Sequence, residues 1–125
     1  MVYLVNYLKK ENLIETCHDV SLGGILTAIS KMSVKGNRGI KLFSIAGLVN
    51  KFEYFFGEDQ GRYLIELSKN NLKNIETLFK KNNVFHEIVA EVQNDTFEIE
   101  GLFSLKTKDL QICNNKWYKD FNAIN

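Results

Sequence analysis

HEIVAEVQNDTFEIE, residues 86–100, is the stretch on which the fold class turns. Phe97 and Ile99 alternate with Thr96, Glu98 and Glu100, which predicts a strand with one apolar face. Residues 86–92 predict a second strand just before it, and the polar Gln93-Asn94-Asp95 link predicts a hairpin joining the two. A tight hairpin forces antiparallel pairing, so a chain that carries one is not a purely parallel α/β protein.

Outward from this stretch, helices and strands interleave. VYLVNYLKKENL (2–13) predicts an amphipathic helix with Leu4, Val5, Leu8 and Leu13 inward, followed by a short strand at 14–20. Residues 22–34 predict a helix with Ile25, Leu26, Ile29 and Met32 on one face, broken by KGNRG before a strand at 40–43. A helix is predicted at 46–57. In the strand at 61–68, Tyr63, Ile65 and Leu67 alternate with Arg62, Glu66 and Ser68. Asn71 is placed to cap a helix at 72–82 with Leu72, Ile75, Leu78 and Phe79 inward. Thr107 is placed to cap a last helix, 108–118, presenting Leu110, Cys113 and Trp117 to the core. The predicted order is α-β-α-β-α-β-α-β-β-α. It specifies an α+β fold, helices packed on a mixed, partly antiparallel sheet, with residues 1–125 as a single domain.

The bulk numbers narrow the function. The chain has 125 residues, 45% hydrophobic and 25% charged, as expected of a globular domain. Sixteen basic residues balance fifteen acidic ones, which points to neither nucleic acid nor an anionic membrane as a partner. No apolar run has the length of a membrane span and no signal peptide opens the chain. Cys17 and Cys113 lie far apart without a CxxC spacing, and His18 and His86 are isolated. Reduced thiols in a cytoplasm and no metal site are the expectation.

CHDVSLGG, residues 17–24, poses a different problem. Ser21 is placed to be an N-cap, which would put Gly23 and Gly24 in the first turn of the following helix. Each glycine inside a helix costs about 1 kcal/mol relative to alanine, so the pair needs a reason. Close approach of another backbone is one. An anion held on first-turn N–H groups is the other, and both stand at this point. His18 beside Asp19 does not make a dyad, because neighbours on a strand point to opposite faces.

HDVSLGGILTAISKM resembles the HDVSDGG signature that opens a helix in the C-terminal domain of the aminoimidazole ribonucleotide synthetase superfamily. FFGEDQGRYLIEL resembles a narrower motif, FGEDQ-[GA]-RYL, of the phosphoribosylformylglycinamidine synthase family within it. The tail, LFSLKTKDLQICNNKWYKDF, is similar to that family's C-terminus, where a short strand precedes the closing helix. Leu22 stands where the signature has its second aspartate, and the leading strand and glycine-rich loop of the family's domain have no counterpart. The chain therefore resembles an N-terminally truncated copy of that domain.

The resemblance implies a part of a purine-biosynthesis ligase of the cytoplasm. That enzyme turns the amide of formylglycinamide ribonucleotide into an amidine, using ATP, Mg2+ and ammonia drawn from glutamine by a glutaminase subunit or domain. It implies that Asp19, Ser21, Gly23 and Gly24 hold a substrate phosphate, and that Glu58, Asp59 and Arg62 lie in the cleft or a domain interface. No catalytic residue, metal ligand or cofactor is assigned to the chain itself, and it is expected to be inactive alone. The remaining synthase domains are its expected partners, together with a further copy in a homo-oligomer that covers the edge left by the absent strand. The alternative is a stand-alone ligand-binding or interaction module that kept the fold and lost the reaction.

Overall fold

The computed structural model describes residues 2–43 and 50–123, apart from the side chain of Trp117. The elements run α1 (Val2–Lys10), β1 (Thr16–Asp19), α2 (Gly24–Gly36), β2 (Gly39–Leu42), α3 (Lys51–Phe56) and β3 (Tyr63–Glu66). There follow α4 (Leu72–Lys81), β4 (Ala90–Gln93), β5 (Thr96–Ile99), β6 (Phe103–Lys106) and α5 (Thr107–Ala123). Helices and mixed sheet make the fold α+β, as predicted. Residues 46–49 of the helix predicted at 46–57 lie outside the described part.

The chain divides into two compact units, one of residues 1–28 and 52–88, the other of 29–51 and 89–125. In the first, β1 and β3 pair antiparallel, with Cys17 opposite Ile65 and His18 opposite Leu64. Leu8 of α1, Ile14 and Ile75 of α4 form a buried cluster against which Cys17, Ile65, Leu67, Leu78 and Phe79 pack. Ile75, Leu78 and Phe79, three of the four inward positions read from the helical period of α4, thus lie in this cluster, and Leu72 is not part of it. Asn71 differs from its expected role, since its side chain makes no cap bond. Its Nδ2 instead donates to the Leu13 carbonyl at 3.1 Å, tying the start of α4 to the segment between α1 and β1.

The second unit holds a four-stranded sheet of order β4-β2-β5-β6. Here the hairpin expectation fails. β4 and β5 do not pair with each other, because β2 lies between them, antiparallel to β4 and parallel to β5. The link between them crosses the start of β2 at Gly39, whose N–H donates to the Asn94 carbonyl at 2.9 Å. A Cβ on Gly39 would sit 2.4 Å from the Thr96 carbonyl oxygen and 2.5 Å from its nitrogen, so only glycine admits the crossing. The true hairpin is β5–β6. β6 is the short strand that the family resemblance placed before the last helix.

The register explains the sheet's two faces. Ile40 and Leu42 stand beside Phe97 and Ile99, and all four are buried. On the other face Lys41 lies beside Glu98 and forms ion pairs with Glu98 at 3.6 Å and Glu100 at 3.1 Å. Along α5, Thr107 is buried and Leu110 half-buried, but Cys113 is exposed, contrary to the expectation that it faces the core. The helix is fixed at this level by Gln111, whose Nε2 donates to the Val34 carbonyl at 3.1 Å and to Asn37 Oδ1 at 3.0 Å.

Candidate functional site

The two motifs, far apart in the chain, meet in the first unit. β1 leads from Thr16 to Asp19 along β3, and the pairing extends past the strand end where the Val20 N–H donates to the Arg62 carbonyl at 2.9 Å. Val20 is buried, which pins the end of the strand and sends the chain outward into the Ser21–Gly24 turn. That turn closes with the Gly24 N–H on the Ser21 carbonyl at 2.9 Å.

Gly23 and Gly24 have φ of 79° and 68°. Both are therefore in the left-handed region and not in a right-handed first helical turn, as the N-cap reading of Ser21 required. The close-approach reading accounts for Gly24. A Cβ there would lie 2.6 Å from the Phe55 carbonyl oxygen and 2.6 Å from the Phe56 carbonyl carbon, both backbone atoms at the end of α3. Gly24 is accordingly buried, whereas Ser21 is exposed and Leu22 is 78% exposed.

The next residues of the second motif reach the same turn. Glu58 Oε1 accepts the Gly23 N–H at 2.8 Å. Asp59 pairs with Arg62 Nη2 at 3.2 Å, and the same Nη2 donates to the Gly57 carbonyl. Of the residues expected to form the site, the structure joins Gly23 to Glu58 and Asp59 to Arg62, and Arg62 to the strand end beside Asp19 through its backbone. Asp19 and Ser21 are exposed at the turn.

His18 is half-buried, its Nδ1 donating to the Asp19 carbonyl at 2.6 Å, while the Asp19 carboxylate points outward at 3.7 Å from the ring. A ring nitrogen committed to a backbone carbonyl does not make a general-base pair with its neighbour. Burial raises the Cys17 thiol above its ordinary value, with Asp19 adding to the effect and Lys9 opposing it, so the group is disfavoured as a nucleophile. Tyr54, the residue immediately before the second motif, donates to Glu87 Oε1 at 3.3 Å. Burial and the Glu87 charge push its hydroxyl up to about 12. Among the described residues no cluster of His, Cys, Asp and Glu could hold a metal ion.

Sequence reasoning found the residues of both motifs but not their mutual contacts. The one signal that bore on it was the coupled occurrence of the motifs themselves. A family model described as AIR synthase related protein, C-terminal domain, matches residues 1–100.

The chain belongs to this family.

Relatives within reach of the AIR synthase related C-terminal domain extend the resemblance of the second motif. The phosphoribosylformylglycinamidine synthase subunit PurL of Pelagibacter ubique is 40% identical over 91% of the chain, and that of Bartonella tribocorum 32% identical over 86%. The chain spans only 16% and 14% of those two proteins. Among solved structures, Thermotoga maritima PurL complexed with FGAR superposes with a TM-score of 0.72 over 84% of the chain and 19% of its own length, at 22% identity. The same protein complexed with ATP gives 0.72 over 84% and 20%. At that identity the likeness establishes the fold, and the curated relatives carry the resemblance to the synthases.

Proposed function

We propose that the chain serves as the C-terminal domain of a phosphoribosylformylglycinamidine synthase and that its Asp19–Gly24 turn lines the substrate cleft. The supporting observation is the convergence of both motifs on that one surface turn, through Gly23 to Glu58 and Gly24 to α3. In the reaction ATP transfers a phosphoryl group to the amide oxygen of formylglycinamide ribonucleotide, ammonia adds at the carbon, and phosphate leaves to give the amidine. ATP and Mg2+ bind elsewhere in the synthase, and a glutaminase subunit or domain delivers the ammonia. Asp19 and Ser21 contribute polar groups toward the substrate, while the amides of Gly23 and Gly24 are already engaged by Glu58 Oε1 and the Ser21 carbonyl and are not offered to its phosphate. Leu22 replaces one such group of the signature with an apolar side chain held out in solvent.

On this reading the chain alone does not catalyse. Mixed with formylglycinamide ribonucleotide, ATP, Mg2+ and an ammonium salt, it releases no phosphate above the uncatalysed rate. Turnover in that mixture overturns the proposal. Thermal-shift measurements with inorganic phosphate, ribose 5-phosphate and adenine nucleotides separate it from the alternative. A stand-alone binding module is stabilised by one of them at micromolar concentration, as mass action requires, and a cleft wall is not.

A further inference from the structure

The contact between Gly23 and Glu58 does something that neither motif explains separately. Gly23 and Gly24 are consecutive left-handed residues without side chains, the combination with the greatest backbone freedom. Gly24 is held by contact with the backbone of Phe55 and Phe56. Gly23 lies against the side chain of Thr27, and its N–H donates to Glu58 Oε1 from 35 residues away. The loop that carries Glu58 is itself braced on both sides. The Gly57 N–H donates to the Glu53 carbonyl at 2.9 Å, and Arg62 joins the Gly57 carbonyl before Glu58 to the Asp59 carboxylate after it. Arg62 also accepts the Val20 N–H, so one residue anchors the Glu58 loop and the strand that enters the turn.

We propose that Glu58 is the positioning residue of the Ser21–Gly24 turn, acting through the Gly23 amide, with Arg62 holding the Glu58 loop in the place from which it acts. Both partners of the bond lie at the surface, where water can serve an amide equally well. The bond's consequence is therefore orientation: it selects one conformation of the turn and so one presentation of Asp19, Ser21 and Leu22. Its importance for substrate rests on the cleft reading of this turn given above.

Amide hydrogen exchange and trans-hydrogen-bond scalar coupling in the 15N,13C-labelled chain test it. The wild-type chain shows a coupling between the Gly23 nitrogen and the Glu58 carboxyl carbon, a measurement that needs no variant. In Glu58→Ala the Gly23 amide exchanges faster on the order of tenfold, and in Glu58→Gln, which keeps the Oε1 acceptor, protection returns. Absence of the coupling, or equal Gly23 exchange in the wild type and Glu58→Ala, overturns the proposal. A second arm places the same variants in a PurL chimera that carries this chain. There Glu58→Ala raises KM for formylglycinamide ribonucleotide more than it lowers kcat, and Glu58→Gln restores it. If the exchange result holds and KM is unmoved in a working chimera, Glu58 still positions the turn and the cleft reading falls.

Discussion

Gly24 shows how a single residue can be read two ways from sequence and one way from structure. The glycine pair fits both an anion and a close backbone, and nothing local separates them. The separation comes from Phe55 and Phe56, whose backbone occupies the space of a Cβ. Gly24→Ala combines a left-handed φ, worth roughly 1–2 kcal/mol for a non-glycine residue, with displacement of main-chain atoms that cannot rotate away. It should lower stability by about 3 kcal/mol or more, a fall in Tm on the order of 10 °C by calorimetry. Gly23→Ala meets only the side chain of Thr27 and should cost less. A larger loss at Gly23 than at Gly24 would refute this account of the pair. Tyr54 makes a prediction of opposite character. Its hydroxyl is raised to about 12, so the folded chain holds that proton more tightly than the unfolded chain does. The resulting stability is complete below the unfolded value near 10 and is lost as pH rises toward 12. Tyr54 should therefore ionise late in an ultraviolet titration, and Tyr54→Phe should remove that late phase. A late phase that persists in the variant contradicts the assignment.

At the scale of elements, three helices end on asparagine. Asn12, Asn37 and Asn83 have φ of 53°, 50° and 54°, Asn37 one position beyond its helix and Asn12 and Asn83 two positions beyond theirs. At α1 the Leu13 N–H reaches back to Leu8 and the Asn12 N–H to Lys9. At α4, Val84 reaches Phe79 and Asn83 reaches Lys80, the paired bonds of a Schellman motif. Asn83→Gly should be neutral or stabilising, and Asn83→Ala should cost about 1 kcal/mol in urea unfolding. Equal midpoints for the two variants would show that the left-handed cap contributes nothing. Helix periods were legible in the sequence because the apolar faces of α1 and α4 meet a core directly, as Leu8 and Ile75 do. Strand partners were not legible. The alternation of Phe97 and Ile99 identifies β5 correctly, but the presence of β2 between β4 and β5 depends on a glycine more than fifty residues earlier. Propensity and turn chemistry are local, and an intervening strand is not. The same limit applied at the site: both motifs were visible, and the bond from Glu58 to Gly23 was not.

At the scale of the molecule, the apolar surface points to association. Tyr3, Phe85 and Phe52 are 91%, 86% and 76% exposed, and both edge strands of the four-stranded sheet carry exposed apolar residues, Val92 on β4 and Phe103 on β6. Edge strands that carry exposed apolar side chains are sites for a further chain. We therefore propose that the isolated chain forms a homo-oligomer, and sedimentation should show a mass above 14.4 kDa at micromolar concentration. A monomer throughout that range would contradict it. Among the described residues no helix is long and apolar enough to cross a membrane. The central claim is that this chain works as one domain of a larger synthase, and the most direct measurement is a domain exchange. The chain replaces the matching segment of the Pelagibacter ubique PurL, and formation of the amidine product is followed with formylglycinamide ribonucleotide, ATP, Mg2+ and ammonium. The account predicts turnover by the chimera and none by the chimera's remainder without this chain. A folded, soluble chimera that binds ATP and forms no product would contradict it.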